Sequence, residues 1–212
     1  MLMARLPIWS YLAVTVPLVL TPGASTAVVL RNSLTGGIRA GAATAIGTNL
    51  GSLCYGLLSA FGLALALRRW PSVWEAVRLA GAAYLGWLGM RSIRRAFGTE
   101  VVPAATIGEA RPRARLGPAL EGFAINALNP AIATFYLVIL PQFIPADAPA
   151  VRSALILTAM HVSLAWSWHM AWAAAGGTLA RTLTHGTTRR VLNASTGVAL
   201  LGLAIAMVAR ST

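Results

Sequence analysis

The chain has 212 residues, and among them no lysine, one cysteine and five acids. The lone thiol, Cys54, excludes an intramolecular disulfide, a CxxC redox pair and a thiolate metal cluster; inside an apolar run it reads as a small buried hydrophobe. Charged residues make up 10% of the chain against about 25% in an ordinary soluble domain, which leaves no room for a large extramembrane catalytic domain. The acids are Glu75, Glu100, Glu109, Glu121 and Asp147, and none lies midway along an apolar stretch. A second positive charge on a bound molecule would therefore find no carboxylate at membrane depth. Neither G-x-S-x-G nor H-E-x-x-H occurs, so two common hydrolase signatures are missing.

What is present is apolar. Hydrophobic residues are 57% of the chain and the mean hydropathy is +0.70. Between charges the apolar runs are 6–30, 40–67, 79–90, 122–146, 153–180 and 191–209. A lipid crossing takes about 20 residues. The third run reaches that length when extended back to Ser72, with Glu75 and Arg78 snorkelling to the interface. The expected fold is an all-α integral membrane protein of six transmembrane helices. Arg5 ahead of the first run imitates a secretory signal. The run exceeds the roughly 7–15 apolar residues of such a signal and Pro22-Gly23 interrupts it, so retention is expected.

The formal charge of +12 comes from 17 basic residues, all arginine, set between the apolar runs rather than along one groove. No nucleic-acid partner is expected; the arginines read as topology determinants. Eleven lie in alternate loops: Arg31 and Arg39, then Arg91, Arg94, Arg95, Arg111, Arg113 and Arg115, then Arg181, Arg189 and Arg190. Five lie on the other side: Arg5, Arg68, Arg69, Arg152 and Arg210. The positive-inside rule then puts both termini outside, periplasmic for a bacterial inner membrane, and Arg91 to Gly117 in the cytoplasm. That segment holds Gly98, Pro103, Gly108 and Pro112. It divides the chain into a first three-helix repeat, 1–95, a cytoplasmic linker, 96–117, and a second repeat, 118–212. An odd number of helices per half makes the two repeats inverted.

The opening run of each half carries a proline near its middle, in Leu20-Thr21-Pro22-Gly23 and in Leu128-Asn129-Pro130-Ala131. Proline has no N–H, so Pro22 frees the carbonyl of Leu18 and Pro130 that of Asn126. Matched breaks in corresponding helices point to a substrate site at the membrane midplane. Taken singly, each proline is equally a kink in a packed helix. The expected binding residues are Thr21, Pro22, Gly23, Ser25 and Thr26 at the first break and Asn126, Asn129 and Pro130 at the second. A half-helix beginning after Gly23 would turn N–H groups and a positive dipole end toward a carboxylate.

Deeper polar residues are Asn49, with Cys54, in the second run and His161, Trp166, Trp168 and His169 in the fifth. Asn49 and Trp168 join the expected binding set, Trp168 as a cavity wall. Histidine titrates near pH ~6.5 in water, so His161 and His169 are candidates for proton coupling, with Glu121 at the cytoplasmic start of the fourth run. Each histidine alone reads first as a neutral side chain bonded to a neighbouring helix. Met160, His161, His169 and Met170 show no recurrent ligand spacing, so neither a metal site nor a cofactor is expected. The Gly37/Gly41 and Gly47/Gly51 pairs, with Gly81, Gly86 and Gly89, read as close helix packing, compatible with a homo-oligomer.

Three stretches carry a family resemblance: LTPGASTAVVLRNSLTGGIRAG at 20–41, LAGAAYLGWLGMRSIR at 79–94 and EGFAINALNPAIATFYLVILPQF at 121–143. In order and spacing they resemble the lysine exporter (LysE/RhtB) family of amino-acid efflux translocators over roughly residues 5–210. The resemblance implies proton-driven export of small amino acids or their derivatives from the bacterial cytoplasm. The missing mid-membrane acid favours a neutral cargo over a dicationic one. Two positions depart from the family: Ala24-Ser25 follows Pro22-Gly23 where P-G-P and then Asn or Asp is usual, and Ala131 replaces the lysine of N-P-K. Competing readings are an intramembrane serine hydrolase, with Ser25 as nucleophile and a fifth-run histidine as base, and a metal-ion exporter of related fold.

Overall fold

The computed structural model describes residues 6–69, 71–98, 117–145, 147–184 and 186–209. The linker segment 99–116, with Arg111, Arg113 and Arg115, lies outside them, as do Arg5, Trp70 and Arg210. The described chain is helical throughout: α1 (Ile8–Leu20), α2 (Ala24–Arg69), α3 (Pro71–Phe97), α4 (Pro118–Ala127), α5 (Pro130–Thr134), α6 (Ala150–Thr184) and α7 (Gly186–Ala209). After α5 the chain widens into a π turn, Phe135–Ile139, and tightens into a 3₁₀ turn, Leu140–Phe143. The π turn brings the adjacent side chains Phe135 and Tyr136 into the core together, both fully buried.

Both proline breaks are real. The axis bends by 44° between α1 and α2 and by 57° between α4 and the α5 segment. At the second break Asn129 caps α5, its side-chain oxygen accepting from the Ala131 N–H at 3.0 Å, with Pro130 at the first helical position where a missing N–H is harmless. The carbonyl of Asn126, expected to be freed by Pro130, instead accepts from the Asn129 N–H at 3.0 Å. Among the described residues, one helix is long and apolar enough to cross a membrane unaided, Ala150–Ala175, and each bent pair qualifies as one further broken span.

Two stretches assigned to loops are helical. Arg31 and Arg39 lie within α2, which runs through both of its apolar runs and bends at Gly37. There φ is 74° and ψ 178°, a conformation open to glycine and strained for other residues. Arg91, Arg94 and Arg95 belong to the last turns of α3 rather than to a loop.

The long second helix, α2, turns large apolar side chains outward. On α2, Ile46, Leu50, Leu53, Leu57 and Phe61 form an exposed apolar stripe, while Thr44, Thr48, Asn49, Ser52 and Ser59 are buried. Such a distribution suits lipid outside and a polar interior within. Cys54 falls on the exposed side, so its apolar run marked a lipid-type face and not a protein core. The most extensive contacts join the two halves: α2 lies against α4 and α6, and α3 against α7. Small residues allow this. A Cβ on Gly47 would strike the Ala119 carbonyl, one on Gly122 the Thr44 carbonyl, and one on Gly89 would come within 3.0 Å of the Gly197 carbonyl oxygen. Gly37 and Gly86, grouped with these from spacing, have no such neighbour.

Candidate functional site

Side chains from every helix enclose a cavity of about 210 Å³. Its wall holds both breaks. Thr21, Pro22, Gly23, Ser25 and Thr26 contribute from the first, and Asn126 and Asn129 from the second. Leu18, whose carbonyl has no N–H to meet at Pro22, also lines it.

The first break is held by hydroxyls. Thr21 and Thr196 place their oxygens 2.7 Å apart, and both reach the Pro17 carbonyl, at 2.8 and 3.0 Å. Asn126, at the end of α4, is 1% exposed. Its amide N–H groups donate to the Thr48 carbonyl and to Ser52 Oγ, the latter at 2.9 Å, which docks α4 on α2. Those donations leave Asn126 Oδ1 buried without a partner. Ser25 Oγ and His161 Nδ1 share that condition, and all three residues line the cavity. Buried polar atoms are nearly always satisfied, so these three atoms leave unused hydrogen-bonding capacity at the cavity wall.

Both α6 histidines line the cavity despite being eight residues apart. His169 Nδ1 lies 3.3 Å from both Thr48 Oγ1 and Asn49 Nδ2. His161 sits with its ring centroid 4.3 Å from Phe135 and 5.2 Å from Tyr136. Beyond it Tyr11, Phe135, Tyr136 and Phe143 form a buried aromatic cluster, with the Tyr11 hydroxyl donating to the Leu157 carbonyl at 2.8 Å. The opposite end is more open: Arg91 is exposed and Arg95 half-buried, whereas His161 and Asn126 are at most 2% exposed.

Four expected residues are placed elsewhere. Asn49 stands behind His169, donating to the Ala45 carbonyl at 2.8 Å. Pro130 is exposed on the outside of its break. Trp168 packs edge-on against the buried Trp172, at 5.9 Å, instead of walling the cavity. Glu121 lies 2.6 Å from Arg31 in an ion pair and also accepts from Asn32 Nδ2 at 3.0 Å. Sequence reasoning missed Ser52, Arg91, Ser92, Arg95, Asn193 and Thr196, which all line the cavity. The α3 members were detectable in principle. Leu88, Arg91, Ser92 and Arg95 continue the stripe of the preceding apolar residues at i, i+3, i+4 and i+7.

The comparisons with known proteins fit this geometry. A model of the LysE type translocators matches residues 16–211. The chain is 24% identical to the uncharacterized membrane protein YrhP of Bacillus subtilis (strain 168), over 92% of this chain and 95% of that one. It is 28% identical to a leucine efflux protein of Salmonella typhi, over 92% and 89% of the two chains. A homoserine/homoserine lactone efflux protein of Salmonella typhi is 30% identical over 70% of each. No solved structure matches the chain. With its two broken helices and its apolar exterior, the chain belongs to the LysE type translocator family.

Proposed function

We propose that the protein is a secondary exporter of small neutral amino acids, or metabolites like them, across a bacterial inner membrane. The observation that carries this reading is the convergence of two proline-broken helices, from opposite halves of the chain, on one cavity with orphaned polar atoms. Broken helices at a shared polar cavity are how transporters hold a cargo at mid-membrane. The volume, about 210 Å³, lies below the roughly 300–1,000 Å³ of pockets for drug-sized molecules and suits one small amino acid. The names of the leucine and homoserine efflux relatives point the same way.

The finer features belong to the same proposal. Six spans form two inverted repeats, 1–95 and 118–212, joined by the linker 96–117. The reciprocal packing of α3 on α7 and of α2 on α6 supports that pairing. Both termini face outward by the arginine count. Proton antiport runs through His161 and His169, the titratable cavity residues that lie out of water. Glu121, engaged with Arg31, is the weaker candidate. The hydrolase reading needs a base bonded to Ser25, yet Ser25 Oγ has no hydrogen-bond partner. A metal cargo is not favoured either: among the described residues no three His, Cys, Asp or Glu are grouped to hold an ion.

The test is efflux of labelled amino acids from loaded proteoliposomes, with and without a pH gradient. Leucine or homoserine is expected to leave faster than from empty-vector vesicles, and the gradient is expected to raise the rate. Asn126→Ala removes the donors to Thr48 and Ser52 and is expected to lower efflux about tenfold or more while the protein still inserts. Pro22→Ala and Asn129→Ala are expected to reduce it as well. Wild-type rates in all three variants would remove the proposed site.

A further inference from the structure

We propose that Arg91 and Arg95 form an anion subsite in the cavity that receives the carboxylate of the cargo, so that a free carboxylate without a second cation is the recognised chemistry. This rests on reading the cavity as a transport site. The seating of α3 carries it first. Ser92 Oγ donates to the Asn193 carbonyl at 2.8 Å. One helical turn away, the backbones of Gly89 and Gly197 touch: a Cβ on either would lie within 3.0 Å of the other's carbonyl oxygen. These contacts fix the roll of α3 against α7, and with it the face on which Arg91 and Arg95 fall. Both line the cavity. The Arg91 guanidinium lies over its own Trp87, 5.3 Å from the ring centroid, an attraction that restrains the side chain.

Charge carries it second. Among the described residues, the cavity wall holds two arginines and no aspartate or glutamate. A hollow bordered by low-dielectric walls and one sign of charge concentrates the opposite sign. A guanidinium presents its N–H groups in a planar fork that matches a carboxylate, so the attracted group has a defined seat. The orphaned atoms supply an independent observation. Asn126 Oδ1 can only accept, and it needs a donor from the occupant. Ser25 Oγ, nine-tenths buried, is a hydroxyl free to donate. An occupant with an acceptor end for the arginines and a donor end for Asn126 is an α-amino acid. A side-chain ammonium, as in lysine, would add a cation to a cavity that already holds two.

The experiment titrates the purified full chain in lipid nanodiscs with L-leucine, leucinamide, N-acetyl-L-leucine and L-lysine by calorimetry, and measures leucine efflux in parallel. Leucinamide lacks the carboxylate and lysine adds a charge; each is expected to bind about 10-fold or more weakly than leucine. N-acetyl-L-leucine keeps the carboxylate and is expected to depend on the arginines as leucine does. Arg91→Gln and Arg95→Gln are expected to raise Kd and the efflux KM about 10–100-fold with a smaller change in kcat, and Arg→Lys at either position to recover part of it. Arg39→Gln, exposed and outside the cavity, is the control and should match wild type. Leucinamide binding as tightly as leucine overturns the subsite on wild-type protein alone. So does a wild-type KM in both glutamine variants, or failure of every carboxylate to bind. Arginine-dependent binding without efflux would instead overturn the export reading and leave the subsite standing.

Discussion

Gly47→Ala is expected to lower the thermal transition of the purified protein by about 6–12 °C, and to abolish export from the fraction that still folds. A Cβ at Gly47 falls on the backbone carbonyl of Ala119, and from the other side a Cβ at Gly122 falls on that of Thr44. The obstacle is main chain in both directions, so no rotamer change relieves it; α2 and α4 must move apart. Overpacking a well-filled core typically costs about 1–3 kcal/mol, and a backbone obstacle belongs at or above the top of that range. The functional loss follows from the same geometry. Asn126 reaches Thr48 and Ser52 only because the two helices are in contact, and separating them displaces it from the cavity wall. Gly86→Ala is the paired control. Nothing lies within 4 Å of a Cβ there, and alanine removes the roughly 1 kcal/mol that glycine costs a helix, so stability should hold or rise slightly. Equal stability for the two variants would mean that α2 and α4 do not meet backbone to backbone.

The breaks at Pro22 and Pro130 were legible because proline acts locally: a missing N–H disrupts a helix wherever it occurs, and Thr21, Asn126 and Asn129 beside it declare that the gap is polar. The bend at Gly37 was less so. One residue with positive φ turns the chain, and hydropathy registers only the polar residues around it, which looked like a loop. Arg91 and Arg95 read as loop residues for a related reason. Charge at the end of a short apolar run resembles a loop, but α3 continues through it, supported by Gly89 and Ser92 on α7, a contact between residues about a hundred positions apart. Trp168 and Cys54 show the remaining gap. Lipid and protein interiors are equally apolar, so hydropathy cannot say which of the two a residue on an apolar helix faces.

Neutralising one member of the Arg31–Glu121 pair is expected to cost more than neutralising both. The pair lies where three segments meet: the arm of α2 before Gly37, the arm after it, and α4. Arg31 Nη2 and Glu121 Oε2 are 2.6 Å apart, with the side chains 17% and 16% exposed. Asn32 Nδ2 joins them, donating to Glu121 at 3.0 Å and to Thr44 Oγ1 at 2.9 Å, while Arg31 donates to Asn32 Oδ1. Removing one partner of a buried pair costs about 3–5 kcal/mol; at this exposure Glu121→Gln or Arg31→Gln should fall near the lower end. In the double variant neither charge is stranded, and the cycle should show about 1–3 kcal/mol of coupling by chemical denaturation in mild detergent. Strictly additive losses would mean that the pair holds nothing together. The cycle also separates structure from proton coupling. Glu121 does not line the cavity, so in Glu121→Gln the surviving folded protein should keep the wild-type dependence of efflux on pH, whereas His169→Gln, on the cavity wall, should flatten it. The reverse pattern would move the proposed proton coupling from the α6 histidines to the carboxylate on α4.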